Sequence, residues 1–301
     1  MIKKFIEYVH INHLGKINES LSFKSLTTLK IGGNILCTYY PKDLDSLYQS
    51  MKYLKENHIP YFVLGKGSNI LASDKPFTKI VIKLDELSKV TQISSDKFLV
   101  EAGVIGSKFS FEMAKAGYTK MEFLATIPGT IGGLIYMNAG SYGKEIANII
   151  EEVTYIDKDC KVRTKRKEEL EFGYRSSFFQ KTDSVIVSAV IRLVKVQNPN
   201  LPLELIRTYK QRRREQQPIN QNTAGSTFKN FEHVKAWELI DLLGLKGFKV
   251  NDAAVSNKHA NFLVNQKNAK YDDMIKLITI IQEKVKKAYN LNLVCEWVIV
   301  E

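Results

Sequence analysis

Leu44, Leu47, Met51 and Leu54 recur at three- and four-residue spacing, which places them on one face of a helix. Asp43 stands where its first turn needs a cap, and Asn57 where a left-handed residue would stop it. Residues 59–64 then form a short apolar run rich in β-formers, ending abruptly at Gly65-Lys66-Gly67-Ser68-Asn69. Further strand signals fall at 80–84 and 98–100, and a helix is expected to open at Ser107 and stop at Gly117. From 151 to 196 the pattern is mostly of strands, at 153–156 and along the run 184–194. The breaker cluster 197–202 predicts a domain boundary, followed by a basic helix over 204–216. Beyond it come a short helix over 237–243 closed by Gly244, and a long one over 271–289. Met274, Ile275, Ile278, Ile281 and Val285 make the apolar stripe of the long helix, and 292–300 reads as a strand.

A chain of 301 residues exceeds what one hydrophobic core usually organises, so two or three domains are expected. Apolar residues at 44% and charged residues at 25% are ordinary globular composition and argue against general disorder. Nowhere do about 18 apolar residues run together, so no membrane span is expected. The N-terminal run is interrupted by Glu7 and His10 before it reaches signal-peptide length. Cys37, Cys160 and Cys295 are odd in number and far apart, which argues for a reducing, cytoplasmic setting and against a disulfide framework or a zinc site. The formal net charge of +12 favours anionic partners without choosing among them. The basic residues are dispersed rather than striped, and no nucleic-acid motif of recognisable spacing is present.

Two glycine-rich segments carry candidate chemistry. The first, 65–69, follows a predicted strand, where positive φ lets successive N–H groups converge on an anion such as a pyrophosphate. It is neither a Walker loop, since Ser68 follows glycine rather than lysine, nor a Rossmann fingerprint, since Ile70 stands where a third glycine belongs. The second runs from Thr126 to Gly133 and on from Asn138 to Gly143. It looks too glycine-dense for a stable helix or strand, yet Ile127, Ile131, Leu134 and Ile135 make it too apolar for a linker. Such a buried loop must satisfy its backbone groups, through itself or through a bound polar ligand. Three polar residues also stand out. Arg175 lies among aromatics after Gly173, Ser226 directly follows Gly225, and Glu296 interrupts the C-terminal strand between Cys295 and Trp297. Each has a plain alternative, as an ion pair, a cap and an edge charge respectively.

Taken in order, these segments resemble one family, the UDP-N-acetylenolpyruvoylglucosamine reductases of bacterial peptidoglycan synthesis. The resemblance runs through Thr28-Leu-Lys-Ile-Gly-Gly33, Val63-Leu-Gly-Lys-Gly-Ser-Asn-Ile-Leu71 and Phe123-Leu-Ala-Thr-Ile-Pro-Gly-Thr-Ile-Gly-Gly133. It continues through Asn138-Ala-Gly-Ser-Tyr-Gly143, Phe172-Gly-Tyr-Arg-Ser-Ser177, Ala224-Gly-Ser-Thr-Phe-Lys-Asn230, Gly244-Leu-Lys-Gly247 and Val255-Ser-Asn-Lys-His-Ala-Asn-Phe262. It implies an α+β protein with an FAD-binding fold like that of vanillyl-alcohol oxidase in two subdomains, 1–83 and 84–198, and a C-terminal α+β substrate-binding domain, 199–291. The last strand, 292–301, could return to the first subdomain. Gly65, Lys66, Gly67, Ser68, Asn69 and Ile70, with Ile127, Pro128, Gly129, Thr130, Gly132, Gly133, Asn138 and Gly140, are then expected to hold the flavin. Arg175, Ser226 and Glu296 fall on the family's three catalytic positions, and no metal is implied.

The implied activity is an NADPH-dependent reduction of the enolpyruvyl group of a UDP-sugar, and the short interval from Arg175 to Ser226 resembles the subclass lacking a tyrosine-bearing loop. Arg212-Arg213-Arg214 could steer phosphates, although consecutive helical residues cannot all face one way. The chain departs from the family pattern at Phe231, Trp237, Asn251, Asp252 and Trp297. The alternative is a flavoenzyme of the same fold with another anionic substrate.

Overall fold

The computed structural model of the protein describes residues 1–198 and 200–301, and by its contacts the chain forms two compact units. The first comprises Met1–Glu19, Cys37–Lys66 and Lys79–Gln211; the second comprises Ser20–Leu36, Gly67–Thr78 and Arg212–Glu301. Helix and strand are mixed throughout, as expected of an α+β chain. Of the breaker cluster 197–202, Pro199 lies outside the described residues.

The first unit holds a four-stranded sheet in the order Gly15–Asn18, Thr38–Pro41, Ile80–Ile82, Tyr61–Val63. Its first pair is antiparallel and the rest parallel. The helix Leu44–Glu56 buries Leu47, Met51 and Leu54, and the Asp43 carboxylate caps it by accepting from the Ser46 N–H at 2.8 Å. The stop differs from expectation. Asn57 bonds back to the Tyr53 carbonyl through its side chain at 2.9 Å and keeps φ at −98°, so the left-handed residue is His58, at φ 51°. A helix at Ile2–Ile11, buried at Phe5 and Val9, was not foreseen.

A five-stranded antiparallel sheet completes this unit, with Val185–Arg192 at its centre. That strand is nearly continuous in apolar residues because both faces are covered, whereas the edge strand Val162–Arg166 is charged and exposed, which discourages pairing with another chain. The helix Gly106–Lys115 packs against the segment Glu122–Thr126, and after it Gly117 takes φ 78°. The helix expected from residue 204 in fact spans Asn200–Gln216. Pro202 sits in its first turn, where a missing N–H breaks no helical bond.

The second unit has its own core around Leu29, Phe228, Ile240, Met274 and Ile281. The helix Tyr271–Tyr289 has the predicted bounds, and Ala236–Leu242 precedes Gly244 at φ 65°. A three-stranded antiparallel sheet joins Lys249–Val250, Ala253–Val255 and Leu263–Asn265. In its hairpin Asn251 takes φ 50°, a conformation asparagine tolerates better than most residues, which accounts for its standing where the family pattern has glycine. Only Val298–Val300 of the expected last strand forms a ladder, parallel to Ile70–Ala72; upstream, Cys295 bridges to Phe228 instead. Among the described residues no helix is long and apolar enough to cross a membrane.

Candidate functional site

In the first unit the parallel pairing of Tyr61–Val63 with Ile80–Ile82 carries the chain to Leu64, whose N–H still donates to Ile82 before the backbone turns at Gly65. Directly after the neighbouring strand Ile80–Ile82 comes Lys83, a 7% exposed lysine whose ammonium donates to the Gly65 carbonyl at 2.8 Å. Asp85 lies 3.3 Å from the same nitrogen, and burial holds the Lys83 pKa below the usual lysine range. Sequence reasoning passed over Lys83, although a lysine closing an apolar strand was the available signal.

The second glycine segment was expected to be neither helix nor strand, and this expectation fails in its middle and again at Gly140–Ser141, a two-residue strand paired with Lys144–Glu145. Ile131–Tyr136 is a short helix that includes Gly132 and Gly133, and the Thr130 hydroxyl caps it by accepting from the Gly133 N–H at 3.3 Å. Burial of Ile131, Leu134 and Ile135 offsets the poor glycine propensity. Small size is needed at Gly132, where a Cβ would sit 3.1 Å from that of Ala102. Residues before the helix are pinned on one side, the Gly129 carbonyl accepting from Gly106 at 2.9 Å and the Ile131 N–H donating to Val104 at 2.8 Å. The two segments abut, since a Cβ on Gly65 would lie 2.7 Å from the Thr130 hydroxyl oxygen.

Among the described residues, the backbone N–H groups of Gly65, Lys66, Gly129 and Thr130 have no protein acceptor, and Gly129 and Thr130 are buried. The same holds in the second unit for Gly67, which is buried, and Asn69. Orphaned buried N–H groups are rare in folded proteins, so within each unit these groups fit an anionic ligand such as the pyrophosphate of a dinucleotide.

Arg175 occupies a tight turn in which Gly173 and Ser176 exchange backbone bonds at 3.0 and 3.1 Å. Its φ of 52° is a left-handed conformation that costs on the order of 1–3 kcal/mol and persists only where the surroundings impose it. They do so here. The fully buried Asn138 donates to the Gly173 carbonyl at 2.9 Å, and the Gln180 amide donates to the Arg175 carbonyl at 3.2 Å and to that of Tyr136 at 2.9 Å. The guanidinium itself reaches the Gly140 carbonyl at 3.1 Å and lies over the Tyr174 ring. Gln180 carries no signal in sequence.

Ser226 and Glu296 are both half-buried and belong to the second unit, where the fold brings them together. Ser226 bridges to Phe262, and Thr227 beside it accepts the Glu296 N–H at 2.8 Å. Asn261 braces the segment by donating to the Phe228 carbonyl at 2.8 Å and accepting its N–H at 2.9 Å. Asn69 donates its side-chain amide to the Glu296 carbonyl at 3.0 Å. Trp237, 39% exposed, meets the ring of His259, which in turn packs edge-on against Phe262. No group of three or more metal-ligating side chains that could hold a metal ion occurs among the described residues.

Comparison with known proteins adds to this geometry. Residues 35–165 match an FAD-binding domain family, and residues 217–300 match the C-terminal domain of UDP-N-acetylenolpyruvoylglucosamine reductase. A reductase of that name from Clostridium tetani is 36% identical over 99% of this chain and 97% of its own length. One from Petrotoga mobilis is 37% identical over 93% of each chain. The crystal structure of UDP-N-acetylenolpyruvylglucosamine reductase from Thermus caldophilus superposes with a TM-score of 0.82 at 30% identity, covering 95% of this chain and 100% of that one.

Proposed function

The chain belongs to the UDP-N-acetylenolpyruvoylglucosamine reductase family, and we propose that it is the NADPH-dependent flavoenzyme that turns UDP-N-acetylglucosamine enolpyruvate into UDP-N-acetylmuramate, a peptidoglycan precursor. The reading is carried by the orphaned N–H groups of the two glycine segments, all of which lie within the matched FAD-binding domain. Residues 65–70 and 127–133, with Asn138 and Gly140, hold FAD in a fold of the vanillyl-alcohol oxidase type spread over 1–83 and 84–198. Residues 199–291 receive the UDP-sugar. The +12 charge suits both visitors, NADPH and the UDP-sugar, which are polyanions. The setting is the cytoplasm.

The chemistry supplied by the bound flavin is hydride transfer, from NADPH to the terminal alkene carbon of the substrate. What remains for the protein is the negative charge that then develops on the other alkene carbon and the substrate carboxylate. Arg175 binds and polarises that carboxylate with a guanidinium whose turn is fixed in advance by Asn138 and Gln180. Glu296 shares in orienting it. Ser226 donates the proton to the carbanion, a step for which a hydroxyl is an adequate acid once positioned.

Half-reactions separate these roles. Ser226→Ala should leave flavin reduction by NADPH near the wild-type rate and slow reoxidation by substrate by about 10²–10⁴, the usual worth of a positioned proton donor. Glu296→Gln should likewise spare the first half. Equal slowing of both halves in rapid mixing would make Ser226 structural.

A further inference from the structure

Asn69 divides its polar groups between two tasks. Its backbone N–H, on the first glycine loop, has no protein acceptor among the described residues. Its backbone carbonyl accepts the Val298 N–H at 2.9 Å, and its side-chain amide donates to the Glu296 carbonyl at 3.0 Å. The residues that follow it, Ile70–Ala72, run parallel to Val298–Val300 in the register Ile70 with Val298, Leu71 with Ile299 and Ala72 with Val300. Ser73 closes the ladder by donating to the Val300 carbonyl at 2.8 Å.

Glu296 is therefore held from both sides of its own peptide plane, its N–H by the Thr227 carbonyl beside Ser226 and its carbonyl by Asn69. The residue that follows Glu296, Trp297, is 4% exposed and sits in the core of the second unit. A shift of the loop at Asn69 cannot leave Glu296 in place, because side chain and main chain of one residue grip the strand two residues apart. We propose that Asn69 is a positioning residue for Glu296, and that it couples occupancy of the cofactor loop to the setting of the carboxylate. The inference rests on the flavin and Glu296 roles proposed above. It differs from them in assigning the Asn69 side chain to the protein strand and only its N–H to the ligand.

Hydrogen exchange followed by mass spectrometry tests this on the full chain. Adding FAD to the wild-type apoprotein should slow exchange in 127–133 and also in 293–301, which contains the Glu296 and Val298 amides. Asn69→Ala keeps both backbone groups and removes only the amide. It should still bind FAD and protect 127–133, lose most of the added protection at 293–301, and slow flavin reoxidation by substrate about tenfold, more than it slows reduction by NADPH. FAD protection of 127–133 in wild type without any change at 293–301 overturns the coupling even if the variant fails to fold. Undiminished protection at 293–301 in Asn69→Ala also overturns it. Absence of protection at both segments would instead remove the flavin reading on which it rests.

Discussion

The ammonium of Lys83 donates to the carbonyl of Gly65 at 2.8 Å, so a buried cation anchors the first glycine of the candidate cofactor loop. The bond turns one carbonyl of that loop toward a donor and places positive charge beneath a segment of unsatisfied N–H groups. Exchanging Lys83 for methionine removes both while keeping the shape of the side chain. Removing one partner leaves the Gly65 carbonyl without its donor and should cost the apo form some stability, and loss of the charged hydrogen bond and of the cation should weaken FAD binding tenfold or more, at about 1.5–3 kcal/mol. Titration of the apoprotein with FAD, alongside thermal unfolding of the apo form, checks it. Wild-type affinity in Lys83→Met would deny the lysine any part in the cofactor loop.

Gly67 and Gly143 both take positive φ, at 64° and 73°, but only one is also crowded. A Cβ on Gly67 would lie 2.4 Å from the Leu26 carbonyl oxygen, whereas nothing stands within 4 Å of one on Gly143. Gly143→Ala should therefore cost about 1–2 kcal/mol, the strain of the left-handed region alone. Gly67→Ala forces the backbone to move and should cost clearly more. Comparison of the two melting temperatures decides it, and equal losses would mean that the crowding at Gly67 relaxes freely.

His259 is held neutral by burial, its pKa pushed below the ordinary histidine value of 6.5, and its Nδ1 accepts the Asn261 N–H at 3.2 Å. The unfolded chain then binds a proton near pH 6.5 that the folded chain resists, so stability should fall as pH drops from 6.5 toward the lower folded-state pKa. In His259→Phe, which retains a ring against Trp237 and Phe262, this part of the slope should vanish. Urea midpoints at about pH 7.5 and about pH 5.5 measure it, and an identical slope in the variant would assign the acid sensitivity to other groups.

Much of the framework was legible because it is local. The helix Tyr271–Tyr289 follows from one apolar stripe, and Leu44–Glu56 from another with an aspartate cap. The glycine segments declared themselves by composition, and Arg175, Ser226 and Glu296 by polar character in apolar company. What stayed hidden depends on partners distant in sequence. The amide of Asn69 meets a carbonyl 227 residues away, and Asn138 braces a turn 35 residues on. No periodicity encodes such a pairing. The helix through Gly132 and Gly133 was missed for a related reason, since propensity argues against it and only the Thr130 cap and burial reverse the balance. The left-handed stop at His58 rather than Asn57 turns on a single side-chain bond to Tyr53.

The most direct test of the central claim is the visible absorption spectrum of the purified protein under anaerobic conditions. The account predicts a yellow protein whose flavin bands bleach on addition of NADPH and return on addition of UDP-N-acetylglucosamine enolpyruvate. A colourless chain that takes up no FAD would contradict the reading of the two glycine segments. A reduced flavin that this substrate leaves bleached would contradict the reductase itself.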